Sequence, residues 1–191
     1  MWIFGYGSLM WYQDFPHVEV VQGVVKNFSR RFWQKSPDHR GTPEKPGRTV
    51  TIIYEDGASV WGMAFKVPEE HEKATKEYLD HREKAGYECV TVKFHPDSGA
   101  EPFDVEVYMN IDGEGEHHAG PEDIEEISDI IINSHGPSGP NIEYALRVAK
   151  ILHDKAPHFD DEHVFALEKR LLQLSKESGK GADIVKKIGY N

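Results

Sequence analysis

The chain has 191 residues, a length that suits one domain. Its 22 basic and 33 acidic side chains give a net charge of −11, which argues against sequence-independent binding of nucleic acid because that binding needs a basic face. A single cysteine cannot form an internal disulfide, so secreted disulfide scaffolds are excluded.

The first two thirds of the chain have the alternating pattern of strands. This pattern predicts strands at residues 2–4, 19–28, 30–34, 49–54, 59–67, 87–94 and 103–110. The Asp56-Gly57 pair predicts a hairpin turn between two of them. Residues 36–48 are rich in proline and glycine, which predicts a loop.

One helix is predicted between the strands, and three more are predicted after them. Pro68 and the acids after it predict a helix that runs to about Lys84 and ends at Gly86. Helical spacing of apolar residues predicts further helices at 121–134, 141–155 and 161–175. This order favours an α+β fold with a mainly antiparallel, barrel-like sheet. We expect one domain over residues 1–175 and a C-terminal tail, 176–191, that frays.

We expect no signal peptide and no membrane span. The N-terminus lacks a basic region followed by a long apolar run, and no stretch approaches the roughly 18 apolar residues of a membrane helix. These features predict a reducing, cytoplasmic location. The sequence gives no indication of oligomeric state.

A glycine-rich turn, Gly5-Tyr6-Gly7-Ser8-Leu9, directly follows the first predicted strand. Such a turn can present backbone N–H groups to an anion or a developing oxyanion, but it can equally be structural. The motif is not a Walker loop, because no Gly-Lys-Ser/Thr follows it. It is not a full dinucleotide fingerprint, because Met10 stands where the third glycine belongs.

Glu83 lies at the predicted end of a helix, where the helix dipole disfavours a carboxylate. A carboxyl group tuned in this way can act as a general base. The alternative is a solvated charged face in which Asp80 and Lys84 form an i,i+4 pair. Residues 38–48 are cationic in an acidic chain, so Arg40 or Arg48 could bind a substrate carboxylate, or the segment could be a solvated loop.

The other reactive side chains give weaker signals. The 11 histidines lack a familiar metal-ligand spacing, so we expect no metal site. Cys89 lies in a predicted strand and is expected to be a buried, unreactive thiol. Before the helix that carries Tyr144, Ser138 or Asn141 could be the N-cap, while Tyr144 itself could face a pocket.

The first eleven residues, MWIFGYGSLMW, resemble the start of the ChaC family of glutathione-specific γ-glutamylcyclotransferases. The resemblance continues in order along nearly the whole chain. Its further motifs are RRFWQ at 30–34, DHRG at 38–41, PGR at 46–48, VWG at 60–62, YLDHRE at 78–83, GPSG at 136–139, EY at 143–144 and FALE at 165–168. Two mild departures are Met10, where relatives have Ile or Leu, and Ala85, where many have Gly and which would stiffen a loop over the substrate.

The resemblance implies a small α+β fold with a mixed barrel and flanking helices. It also implies that glutathione is cyclised to 5-oxoproline with release of Cys-Gly, without a cofactor. Glu83 would be the catalytic base and then acid. The resemblance places the turn Tyr6-Gly7-Ser8-Leu9 and Tyr144 at the substrate. With the adjoining Ile3, Phe4 and Gly5, and with Arg40 and Arg48 from the cationic segment, these are the expected substrate-binding residues.

Three other functions remain open at this point. The enzyme could act on other γ-glutamyl amino acids or amines, because the same turn would serve them. The chain could instead be a binding module that holds a γ-glutamyl ligand without reacting it. A metallohydrolase is a more distant alternative.

Overall fold

Five strands form the main sheet of the computed structural model, which describes residues 1–83, 86–111 and 113–191. They are β1 (Trp2–Gly5), β2 (Glu19–Ser36), β3 (Gly47–Lys66), β4 (Glu88–Pro96) and β5 (Phe103–Met109). The strands close into a barrel in the order β1-β3-β2-β4-β5. β1 runs antiparallel to β3 and parallel to β5, and β4 runs antiparallel to both β2 and β5. The predicted α+β class, with a mixed and mainly antiparallel barrel, is confirmed.

The backbone divides into two compact units, and each consists of two stretches of chain. The first unit contains residues 1–30 and 52–116, and the second contains residues 31–51 and 117–191. Two of the three boundaries between the stretches fall inside β2 and β3, and the third lies between residues 116 and 117. The prediction of one domain with a boundary at residue 175 stays a prediction.

The first unit has a core formed by alternate strand residues. Ile3, Phe94, Val105 and Val107 are fully or almost fully buried, as expected when every second side chain of a strand points inward. The helix α1 (Glu72–Arg82) follows a 3₁₀ turn, Glu69–His71, and buries only Thr75 and Leu79. α1 is therefore a surface helix with a narrow apolar stripe.

The second unit contains four helices and a two-stranded ribbon. The helices are α2 (Ile124–Ile132), α3 (Asn141–Lys155), α4 (Glu162–Ser178) and α5 (Ala182–Ile188), and the ribbon pairs β6 (His135–Gly136) with β7 (Gly139–Pro140). Residues at helical spacing meet in its core. These are Ile127, Ile131, Leu146, Leu167 and Leu171, all fully or almost fully buried.

Side chains fix the starts of two of these helices. Asp123 and Glu126 form a capping box at α2, with Asp123 Oδ1 accepting from the Glu126 N–H at 2.8 Å. Asp161 caps α4 by accepting from the Val164 N–H. α5 lies in the stretch that was expected to fray, and nearby Tyr190 donates to Glu168 Oε2 at 2.5 Å.

The predicted hairpin at Asp56-Gly57 is wrong, because β3 continues through it for 20 residues. Gly57 does have a left-handed φ of 81°, but Asn27 on the neighbouring β2 has φ of 67°. Asn27 Oδ1 also accepts from the Gly57 N–H at 3.1 Å. Both strands therefore bend locally, as at a β-bulge, and β2 is one strand where two were predicted.

The N-cap predicted at Ser138 or Asn141 is also wrong. Pro140 precedes α3 and makes no side-chain cap. Asn141 is instead fully buried, where its amide pairs with the backbone of Arg48: Oδ1 accepts from the Arg48 N–H at 2.7 Å and Nδ2 donates to the Arg48 carbonyl at 2.9 Å. Asn141 therefore ties the start of α3 to β3.

Candidate functional site

The glycine-rich turn follows β1 without a break. Two glycines permit the close approach of strands at this point: a Cβ on Gly62 would lie 2.3 Å from the Gly5 carbonyl oxygen, and one on Gly5 would lie 2.8 Å from Leu9 Cβ. Ser8–Met10 then forms a 3₁₀ turn, with Met10 N–H donating to Gly7 O at 3.0 Å. The first N–H groups of such a turn have no acceptor inside it, so they are available to an anion.

Buried side chains hold this turn in place. The Tyr6 hydroxyl donates to the Tyr108 carbonyl at 2.5 Å. Arg30, only 2% exposed, donates to the carbonyls of Tyr6 and Trp61, each at 2.7 Å. Ile3 and Phe4 lie entirely in the core. The sequence did not indicate this role for Arg30, because an arginine within a strand pattern does not reveal which carbonyls it will contact.

Glu83 is the residue that ends α1, and its N–H donates to the Leu79 carbonyl at 2.9 Å. Its side chain is 21% exposed. The predicted position at a helix C-terminus is therefore confirmed. Lys84 and Ala85 lie outside the described residues, so neither the predicted Asp80–Lys84 pair nor the predicted effect of Ala85 is tested.

Arg82 connects the glycine-rich turn to the end of α1. Its Nη2 donates to Ser8 Oγ at 3.0 Å, and its Nε lies 3.9 Å from Glu83 Oε1. Asp14 Oδ1 is 3.7 Å from Nη1, and the ring of Tyr12 faces the guanidinium at 5.9 Å. The sequence offered one signal for this residue, its place beside Glu83 in the YLDHRE motif, but no indication of its contact with Ser8.

Two tyrosine–aspartate pairs surround the same helix. Tyr78 donates to Asp14. Burial is the largest cause that raises the pKa of Tyr78 to about 12, and this hydrogen bond is the second. Tyr108 donates to Asp80 Oδ1 at 2.6 Å, and this hydrogen bond is the main cause that lowers the pKa of the Asp80 carboxyl. Both tyrosines therefore remain neutral donors at physiological pH.

In the second unit, Arg40 lies within the loop between β2 and β3 and is 7% exposed. Its Nη1 donates to the Pro140 carbonyl at 3.0 Å and lies 3.9 Å from Glu143 Oε1. Its guanidinium also faces the ring of Tyr144 at 5.7 Å. Among the described residues, Nε and Nη2 of Arg40 have no hydrogen-bond acceptor, so they can still receive an anion.

Arg48, equally buried, has a different environment. Its Nε donates to Glu122 Oε1 at 2.7 Å and its Nη2 to Glu122 Oε2 at 3.4 Å. Its Nη1 donates to the Gly47 carbonyl at 3.0 Å. A two-pronged pair of this kind satisfies the planar guanidinium. All three nitrogen atoms of the guanidinium are therefore engaged within the protein.

Tyr144 is buried on α3, and its hydroxyl accepts from the Val50 N–H at 3.3 Å. Its ring also packs edge-on against Phe32, with the centroids 6.0 Å apart. These contacts fix the side chain against β2 and β3.

Cys89 is half-buried on β4, contrary to the expected fully buried thiol. Its Sγ lies 3.5 Å from Glu106 Oε2, and burial together with this carboxylate raises the pKa of the thiol. Within the described ranges, no group of three or more His, Cys, Asp or Glu residues could hold a metal ion. No helix in the described part of the chain is long and apolar enough to cross a bilayer.

Comparison with known proteins relates both sequence and fold to one family. The model of the ChaC-like protein family matches residues 1–174. Glutathione-specific γ-glutamylcyclotransferase 1 of Danio rerio is 40% identical over 175 residues, covering 90% of this chain and 89% of that protein. The Homo sapiens protein of the same name is 37% identical over 170 residues, covering 87% of this chain and 76% of its own.

A solved structure agrees with these relatives. The crystal structure of a γ-glutamyl cyclotransferase specific to glutathione from yeast superposes with a TM-score of 0.83 at 28% identity, covering 91% of this chain and 96% of that one. The family match spans most of the chain, and it includes the glycine-rich turn, Arg82 and Glu83. The chain therefore belongs to the ChaC-like protein family.

Proposed function

We propose that the protein cleaves glutathione by cyclising its γ-glutamyl group. The α-amine attacks the γ-carbonyl carbon of the same residue, the bond to the cysteine nitrogen breaks, and 5-oxoproline and Cys-Gly form. The atoms balance without water or a cofactor. The relatives' names support the substrate. The observation that carries the proposal is the contact of Arg82 with both Ser8 of the turn and Glu83 in one unit.

Glu83 is the proposed general base. An α-ammonium group has a pKa of about 7.7–8.0 and an ordinary glutamate about 4.3, so proton transfer between them costs on the order of 5 kcal/mol. Removing water from the carboxylate when the substrate binds reduces that cost, because desolvation disfavours the charged form. The protonated glutamate then donates to the departing cysteine nitrogen.

The turn Gly5–Leu9 is proposed to hold the γ-glutamyl group in the geometry of attack. Fixing an intramolecular reaction in this way contributes roughly 7–11 kcal/mol. The N–H groups at the start of the 3₁₀ turn are suited to stabilise the oxyanion on the γ-carbonyl. The buried contacts of Arg30 and Tyr6 support this role, because preorganised donors need no rearrangement during the reaction.

We also propose that the protein acts in the cytoplasm. A reducing compartment is where glutathione is abundant, and the single half-buried cysteine is compatible with it.

Replacing Glu83 tests the assignment. We expect purified Glu83→Gln to release no 5-oxoproline from glutathione while its melting temperature stays near that of the wild type, because the amide cannot accept the proton. Glu77→Gln, at an exposed position on the same helix, is the matched control and should keep full activity. Chromatographic detection of both products gives the rate, and wild-type turnover by Glu83→Gln would refute the proposal. A panel of γ-glutamyl compounds defines the substrate range.

A further inference from the structure

We propose that Arg82 and Glu83 together bind the amino-acid end of the substrate, with Arg82 receiving the α-carboxylate of the γ-glutamyl group while Glu83 receives its α-ammonium. This inference rests on the proposed function and extends it. Arg82 thereby gains a substrate-binding role that its sequence pattern did not indicate.

The charges of the two side chains complement a free amino-acid end. A positive nitrogen and a negative oxygen, Arg82 Nε and Glu83 Oε1, lie 3.9 Å apart. In an α-amino acid, the ammonium nitrogen and the carboxylate carbon are about 2.5 Å apart by standard bond lengths and angles. The carboxylate and the ammonium of one amino acid can therefore contact Arg82 and Glu83 respectively, while Arg82 and Glu83 stay close to each other.

Arg82 has a donor ready for such a ligand. Among the described residues, Nη1 is buried without a hydrogen-bond partner, since Asp14 Oδ1 at 3.7 Å is beyond hydrogen-bonding distance. A buried donor that lacks an acceptor costs free energy, and a carboxylate would satisfy it. Nη2 is already fixed by Ser8 Oγ, so the guanidinium is held against the turn proposed to bind the γ-glutamyl group.

The arrangement also serves the chemistry. The amine must lose a proton to Glu83 before it attacks, so the ammonium has to lie beside an ionised carboxylate. A neighbouring guanidinium favours the ionised form of a carboxyl group. When the substrate carboxylate pairs with Arg82, it offsets this cation, and the proton transfer to Glu83 becomes easier.

The test compares three substrates: glutathione, its analogue with the γ-glutamyl α-carboxyl as an amide, and its analogue with the glycine carboxyl as an amide. For the wild type, we expect the α-amide to lose about tenfold to a hundredfold in kcat/KM, since this is the range for hydrogen bonds to charged groups. In Arg82→Gln that loss should shrink towards none, while the effect of the glycine amide stays as in the wild type. Arg82→Lys should retain part of the preference.

Lys73→Gln, which removes a positive charge from an exposed position of α1, is the matched control and should keep the wild-type preference. A merely structural Arg82 would slow all three substrates alike, so an unchanged α-amide penalty in Arg82→Gln overturns the inference. If Arg82→Gln is too slow for kinetics, calorimetry measures the dissociation constants of 5-oxoproline and its amide. The ratio of these two constants then replaces the ratio of kcat/KM values. Absence of 5-oxoproline from the wild type would instead reject the proposed function.

Discussion

At the scale of single residues, four buried or mostly buried arginines have distinct surroundings. Arg30 donates to two main-chain carbonyls, Arg48 pairs with Glu122, and Arg40 and Arg82 keep donors without a protein acceptor in the described part of the chain. Burying a guanidinium is costly unless its donors are satisfied. Arg40 and Arg82, whose guanidinium donors are not all satisfied, are therefore the better candidates for substrate contacts. Arg48 is the better candidate for a structural role.

The glycine carboxylate of glutathione provides a test of Arg40. We expect Arg40→Ala to raise KM for glutathione by about tenfold to a hundredfold, with a much smaller effect on the glycine-amidated analogue, because a charged hydrogen bond is lost only with the former. Steady-state kinetics on both substrates measure the ratio. Arg48→Ala should instead lower the melting temperature, because Glu122 loses its partner. Equal effects of Arg40→Ala on both substrates would rule out this contact.

The position of Glu83 could be predicted from the sequence, but its surroundings could not. Its place at a helix end follows from local rules about acids, Gly86 and periodicity. The contact of Arg82 with Ser8 joins residues 74 positions apart, and local pattern carries no information on such a pairing. The same limit applies to Asn141, which was one of two candidate caps for its own helix and instead pairs with a distant strand.

At the scale of elements, turn chemistry was the main source of error. Asp-Gly is a strong hairpin signal when two strands end there, but Gly57 lies within β3 beside the left-handed Asn27 of the next strand. The helices were predicted more closely, because periodicity and capping residues act within one segment. α3 begins and ends where the spacing placed it, and α2 lies within the predicted range 121–134 but covers only Ile124–Ile132.

The capping box of α2 leads to a prediction of stability. Asp123→Ala should lower the free energy of unfolding by about 1 kcal/mol, because the Glu126 N–H loses its acceptor. Asp123→Asn is the matched control and should remain close to the wild type, since asparagine caps equally well. Chemical denaturation followed by circular dichroism measures both. Equal losses in the two variants would contradict the role of the side-chain oxygen.

At the scale of the whole molecule, the net charge of −11 opposes an anionic substrate. We expect KM for glutathione to fall roughly twofold or more as ionic strength rises from about 0.01 to 0.15 M, because the Debye length shortens from about 30 to 8 Å. Contacts with buried side chains such as Arg40 are screened much less. The glycine-amidated analogue, which has no net charge, is the control. A KM that rises with salt for glutathione would show that local attraction dominates.

The segmented composition of the two units has a practical consequence for engineering. Each unit takes one stretch from the first half of the chain and another from further along, so no single truncation yields either unit intact. A split reporter cut in the loop between β2 and β3 would leave each fragment with parts of both units. Complementation of such fragments would then require both units to form together.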